Sequence, residues 1–228
     1  MKIKFLLLLV LVFVFNSAFA QKSKGKNFTG KIVYKISYEK NNLDDEVTGM
    51  LPRLMSMYVG HNKIKTDLVT ELGTQSAIYD LSMKTKTALM DMMGSKYAIR
   101  DTWETIQADH EKKPKPQVVF TDETKVIAGF NCRKAVVSVN ETEDSKPVES
   151  VAWFTNEIAV NPEINFSNAL FKDIDGVLME YEMEAGTGLM MKFVAFSVEK
   201  MKISARDFEV PEGYTEVTRD ELMKIFMK

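Results

Sequence analysis

From residue 31 the chain alternates. In Lys31-Ile32-Val33-Tyr34-Lys35-Ile36-Ser37-Tyr38-Glu39, Ile32, Tyr34, Ile36 and Tyr38 fall on one side of an extended backbone and mostly polar residues on the other. Successive side chains of a strand point to opposite faces, so this period-two pattern encodes a strand with one dry and one wet side. Similar segments follow at 54–59, 63–69, 75–81, 85–92 and 96–101, with Gly60-His61-Asn62 and Gly94-Ser95 as turn signals between neighbours. That spacing is the one expected of antiparallel all-β architectures.

Residues 102–112 break the rhythm. They are richer in Glu, Gln and Ala, and the pattern predicts a short helix entered from Thr102 and ended by Pro114 and Pro116. Strand patterns return at 117–120, 124–127, 132–139, 148–158, 177–183 and 189–198, with a turn at Ala128-Gly129 and an acidic loop over 141–145. In the 177–183 segment, Val177, Met179, Tyr181 and Met183 share one face and Glu180 and Glu182 the other. Pro211-Glu212-Gly213-Tyr214 is a turn. Thr218 and Glu221 then stand at capping-box spacing ahead of Leu222, Ile225 and Phe226, which predicts a C-terminal amphipathic helix docking on the sheet. Parallel pairing needs crossovers of about a dozen residues or more, and the strands follow one another without them. The expected fold is therefore mainly β with minor α: one large curved antiparallel sheet, an open half-barrel, with one or two short helices against its concave side.

The ends of the chain set the compartment. Lys2 and Lys4 precede an unbroken apolar run from Phe5 to Phe15, and Ala18-Phe19-Ala20 closes it with small residues. This is the order of a secretory signal peptide over 1–20, cut before Gln21. The apolar run is too short for a membrane-spanning helix, which needs roughly 20 residues. Residues 21–27, with Lys22, Lys24 and Lys26, read as a flexible tail, and 28–228 as a single β-rich domain. A periplasmic or secreted location is expected. Without the leader, Lys plus Arg fall to 28 against 32 Asp plus Glu, a net charge near −4 with both signs interspersed. No basic stripe marks a nucleic-acid surface. Cys132 is the single cysteine; it permits no intrachain disulfide, and its strand context predicts a buried, inert thiol.

Constellations for catalysis are missing from the sequence pattern. His61 and His110 read as exposed loop histidines without an accompanying nucleophile motif, and one Cys with two distant His gives no zinc spacing. Gly186-x-Gly188 lacks the helix a phosphate-cradling loop requires. No cofactor is expected, and no enzymatic activity. Methionine is the oddity: 15 are present, clustered around 50–57, 83–93 and 179–191. Such clusters have three physical readings. They can be adaptable core filler, an adaptable apolar surface for a lipid-like ligand, or soft thioether ligands for Cu(I). Alternation assigns the candidate concave face to Met55, Met57, Met90, Met92, Trp153, Met179, Tyr181 and Met183. A one-residue slip in any strand would turn that strand's set to the other side.

Several phrases carry a resemblance to exported proteins: Gly30-Lys31-Ile32-Val33-Tyr34, 90–99, 127–135, Trp153-Phe154-Thr155, 171–176 and Phe208-Glu209-Val210-Pro211-Glu212-Gly213-Tyr214. Together they resemble the exported domain of unknown function 4412 family and are similar to the GLPGLI family. The latter's naming motif would fall on Ile174-Asp175-Gly176-Val177-Leu178, where its leading Gly-Leu-Pro is replaced by Asp173-Ile174-Asp175. More distantly, the layout is similar to the LolA/LppX-like superfamily of envelope carriers. The resemblance implies a non-enzymatic envelope protein, with a lipid or lipoprotein as partner and peripheral association with the envelope, and it transfers no catalytic residue. A structural envelope protein with a packed interior is the competing expectation.

Overall fold

The computed structural model describes residues 27–39, 45–71, 73–92, 94–140, 146–185 and 189–226. The leader and most of the tail lie outside them. In chain order the elements are β1 (Gly30–Glu39), α1 (Asp45–Met50), β2 (Leu54–Gly60), β3 (Lys63–Thr70), β4 (Gly73–Asp80), β5 (Thr85–Met92) and β6 (Ser95–Asp101), then α2 (Trp103–Glu111). They continue with β7 (Gln117–Ile127), β8 (Phe130–Val139), β9 (Val148–Thr155), β10 (Val177–Ala185), β11 (Leu189–Lys200), β12 (Thr215–Glu216) and α3 (Arg219–Phe226). All twelve strands form one open, curved sheet in the order β12-β6-β5-β4-β3-β2-β1-β11-β10-β9-β8-β7. The expected mainly β half-barrel is what the chain forms. Among the described residues, no helix is long and apolar enough to cross a membrane.

β1 holds the sheet together. It pairs antiparallel with β2 on one side and with β11 on the other, so it joins two meanders, β2–β6 and β7–β11. Its alternation explains this placement: Ile32, Tyr34 and Ile36 are all buried. Two hairpins turn on two residues each, both at positive φ: His61 (52°) with Asn62 (57°), and Ala128 (48°) with Gly129 (85°). These are the primed-turn conformations that match strand twist. His61 tolerates its strained backbone because its Nε2 donates to the Ile203 carbonyl at 2.8 Å and its ring meets Phe208 edge-on.

Both sheet faces are covered by chain that returns. On the convex side, Ile78, Leu89 and Ala98 pack against Ile203 and Phe208 of the segment after β11. That segment runs on to β12, which pairs parallel with β6, the one parallel pairing among the described residues. On the concave side, the connection between β9 and β10 (residues 156–176) folds inward and buries Ile158, Ile164, Phe166, Phe171 and Ile174.

Four sequence expectations differ from the structure. Residues 117–120 and 124–127 belong to one strand, β7, whose register shifts between Phe120 and Thr124; the polar Thr121-Asp122-Glu123 stretch marks the irregularity rather than a strand end. Asn41-Asn42 with Asp44-Asp45 reads in the sequence as a polar turn or loop, but helix α1 begins at Asp45; six residues are too few for helical periodicity to stand out. His110 lies in α2 and is partly buried, bonded to the Ser167 carbonyl, rather than in an exposed loop. Finally, α3 has its capping box (Thr218 and Glu221 bond reciprocally), but Met223 and Ile225 stay exposed. What holds α3 is Arg219, which bonds Asp101 of β6 and Asp109 of α2, so the helix hooks the sheet's edge instead of lying on its face.

Two outcomes test this frame. Gly176 has φ of 111°, and a Cβ there would stand 2.5 Å from the Thr155 carbonyl oxygen. Gly176→Ala should lower unfolding stability by about 2 kcal/mol or more, read as a fall in the urea midpoint at constant m-value. In the β4–β5 turn, Asp80 accepts from the amides of Ser82 (3.0 Å) and Met83 (2.9 Å) and pairs with Lys63 (3.3 Å). Burial pushes its carboxyl pKa up, but the Met83 amide, Lys63 and the Ser82 amide together hold it below the ordinary value. A depressed carboxyl stabilises the fold above its unfolded pKa, and that contribution is lost as pH falls through the folded one. Asp80→Asn should therefore be less stable than wild type at pH 7, with the gap closing in acid denaturation profiles below about pH 4.

A concave groove lined by methionine

The concave face is not filled. Across β3, β4 and β5 the residues directly opposite one another are Thr66, Ala77 and Ala88, a row of short side chains beside Met57 of β2. Longer residues flank the row: Met55, Leu68, Gln75 and Met90 form the next cross-strand line. The gap above these small residues is a groove of about 830 Å³. Its far wall comes from β10 and β11, through Tyr181, Met183, Met191 and Phe193.

The roof is the β9–β10 connection, with Lys113 and Pro114 just beyond α2 beside it, and α2 buttresses the connection from outside the groove. Trp103 of α2 meets Phe166 of the connection at 6.2 Å between ring centroids, and Phe166 meets Tyr79 of the floor edge-on at 6.4 Å. His110 Nε2 donates to the Ser167 carbonyl at 3.3 Å. Asn161 bonds Asn62 at 2.6 Å and Lys84 pairs with Glu163 at 3.1 Å, which pins the connection to the hairpin turns below. Asn165 donates to the carbonyls of Ile174 (2.7 Å) and Gly176 (3.0 Å), closing the connection on itself before it enters β10.

Of the eight residues assigned to this face from alternation, Met55, Met57, Met90, Tyr181 and Met183 line the groove together. The side chain of Met92 lies outside the described residues. Met179 and Trp153 are placed differently. β9 and β10 lose register between Leu178 and Glu180, which makes Met179 the extra residue of a β-bulge, fully buried in the core. A bulge sets two residues against one and changes which side chains face inward. Leu178 therefore lines the groove together with Tyr181, three positions later. Trp153 pairs with Glu180 and stands on the convex face, with the Lys125 ammonium 4.2 Å from its ring centre and bonded to Glu180 at 2.6 Å.

Sequence reasoning missed Leu68, Ala77, Tyr79, Ala88, Met191 and Phe193. A signal existed for the small floor: Thr66, Ala77 and Ala88 hold dry-face positions of their strands, but only the register shows that they adjoin. The neighbouring Tyr34 is committed elsewhere. Its hydroxyl, fully buried, donates to the Leu178 carbonyl at 2.9 Å, and burial raises its pKa well above the usual phenol range, with Tyr181 adding to the effect. Cys132 is buried as expected, its Sγ 3.4 Å from the Phe130 carbonyl, and burial raises its pKa. A smaller hollow of about 310 Å³ beside β6, α2 and α3 is crossed by the Arg219–Asp101 ion pair. Among the described residues, no group of three or more His, Cys, Asp or Glu side chains is placed to hold a metal ion.

No family model and no curated protein matches the chain, so the resemblance to the domain of unknown function 4412 and GLPGLI families rests on the sequence phrases alone. Among solved structures, the crystal structure of LprF from Mycobacterium bovis is similar over 77% of this chain and 88% of that one, at 9% identity and a TM-score of 0.28. At that overlap, the description of the fold rests on this chain's own strand register.

Tyr34→Phe tests whether the bulge depends on its hydrogen bond. The variant leaves the buried Leu178 carbonyl without its partner, and should lose about 1–3 kcal/mol in chemical denaturation.

Proposed function

We propose that the protein is an exported, non-enzymatic binder that holds a lipophilic ligand, or the acyl chain of a lipidated partner, in the concave groove. The observation that carries this reading is the groove itself. At about 830 Å³ it falls in the range of ligand pockets, roughly 300–1,000 Å³. Its lining is mainly apolar and includes five methionines, whose flexible thioethers suit ligands of variable shape. The signal-like order of residues 1–20, and the phrases resembling exported envelope families, support the exported location and the envelope as its working place.

One observation favours a second reading, an envelope protein acting through its surface. The edge strand β7 exposes Val119, Phe120 and Val126. Unpaired edges invite pairing, yet the irregular register at Phe120–Thr124 and the acidic pair Asp122-Glu123 oppose it. The thioethers gathered in the groove also supply the soft donors of the copper reading.

Native mass spectrometry of the protein from an expressing cell, followed by solvent extraction, tests the first reading. A co-purifying lipophilic mass is the expected result. Ala88→Trp, which places an indole on the small-residue floor, should lower uptake of an added fluorescent lipid at least tenfold. A clean apo mass with no lipid uptake would favour the surface-acting reading, and saturable Cu(I) binding in isothermal titration would favour the metal.

A further inference from the structure

Tyr181 and Lys86 are polar groups of a mainly apolar groove, and among the described residues neither has a hydrogen-bond or ion-pair partner. The Tyr181 ring is locked on three sides: stacked on Phe193 (4.9 Å, 6° between planes), and edge-on to Tyr34 (6.2 Å) and Phe171 (5.8 Å). The residue is nine-tenths buried, at 9% exposure. Every fully buried side-chain nitrogen and oxygen among the described residues has a hydrogen-bond partner. The Tyr181 hydroxyl has none among them, so the little surface it keeps opens into the groove that the residue lines. Burial, and then Tyr79 nearby, raise its pKa, which keeps it a protonated donor at neutral pH.

Lys86 stands on the concave face of β5, directly opposite Tyr79 of β4. Its neighbour on the other side is Asp101 of β6, but that carboxylate is taken by Arg219, at 2.8 Å and 3.0 Å. Lys63, Lys84, Lys125 and Lys134 each hold a carboxylate within 4 Å. Lys86 holds none among the described residues, although it is half-buried in the groove lining. An ammonium in such a setting is stabilised by an opposite charge beside it. Lys113 and Glu184, the other charged groups of the lining, come from separate elements and are opposite in sign.

We propose that the groove takes a single-chain anionic amphiphile, a long-chain fatty acid, whose carboxylate is held by Lys86 with the hydroxyls of Tyr79 and Tyr181 and whose chain lies over the methionine-lined floor. The inference rests on the groove being a lipophile site and adds the head group. One cation with two O–H donors matches a monoanion with two acceptor oxygens. A phosphate dianion would be left with an uncompensated charge.

Isothermal titration of the delipidated protein with oleate, oleyl alcohol and lysophosphatidate at pH 8 tests it. Oleate should bind at least tenfold tighter than oleyl alcohol. Lys86→Met should weaken oleate by tenfold or more and leave oleyl alcohol unchanged, which also shows that the variant is folded. Tyr181→Phe should weaken oleate several-fold. Equal binding of oleate and alcohol, unaltered by Lys86→Met, would overturn the head-group assignment and leave the groove reading standing. Tighter binding of lysophosphatidate than of oleate would overturn the carboxylate. Binding of none of the three would overturn the head group and the groove reading together.

Discussion

A sheet that is curved and open has two faces to cover, and this chain covers them unequally. The convex side of β4–β6 is closed by Ile203 and Phe208. The concave side receives one inward connection, residues 156–176, and one short helix, α2. Neither reaches down to the small floor formed by Thr66, Ala77 and Ala88. Apolar surface left uncovered in this way is costly in water. The groove is the uncovered remainder of an otherwise closed core, bounded by the same residues that build that core.

Two local features decide what that remainder looks like. The bulge at Met179 changes the phase of β10, so that Leu178 and Tyr181 both face inward while Glu180 turns outward to Lys125 and Lys192. The Tyr34 hydroxyl bonds the Leu178 carbonyl beside the bulge, coupling the central strand to the strand that carries Tyr181. The second feature is the Arg219 bridge. By taking up Asp101 and Asp109 it ties α3, α2 and β6 together, and it leaves Lys86, the other neighbour of Asp101, without a counterion.

Much of the sheet was legible in the sequence because alternation is a local signal. β1, β5, β6 and the two-residue turns at 61–62 and 128–129 lie at or next to where the pattern placed them. Long-range pairing carries no such signal. Nothing in the residues of β1 says that its second neighbour is β11, and nothing in Thr215-Glu216 announces a parallel pairing with β6. The candidate site divides along the same line. Met55, Met57, Met90, Tyr181 and Met183 follow their strands' alternation. Trp153 and Met179 fall away because one bulge breaks the period that alternation assumes. The floor of alanines escaped notice because a groove is defined by side chains that are short, while a search for binding residues looks for long ones.

In the proposed binder, methionines from distant parts of the chain share one ligand. Methyl-¹³C NMR of methionine-labelled protein, titrated with oleate, reads this directly. The methyls of Met55, Met57, Met90, Met183 and Met191 should shift together, while those of the exposed Met83, Met201 and Met223 stay in place. Shifts concentrated on the exposed methionines, or no shift on any groove methionine at saturating oleate, would contradict it.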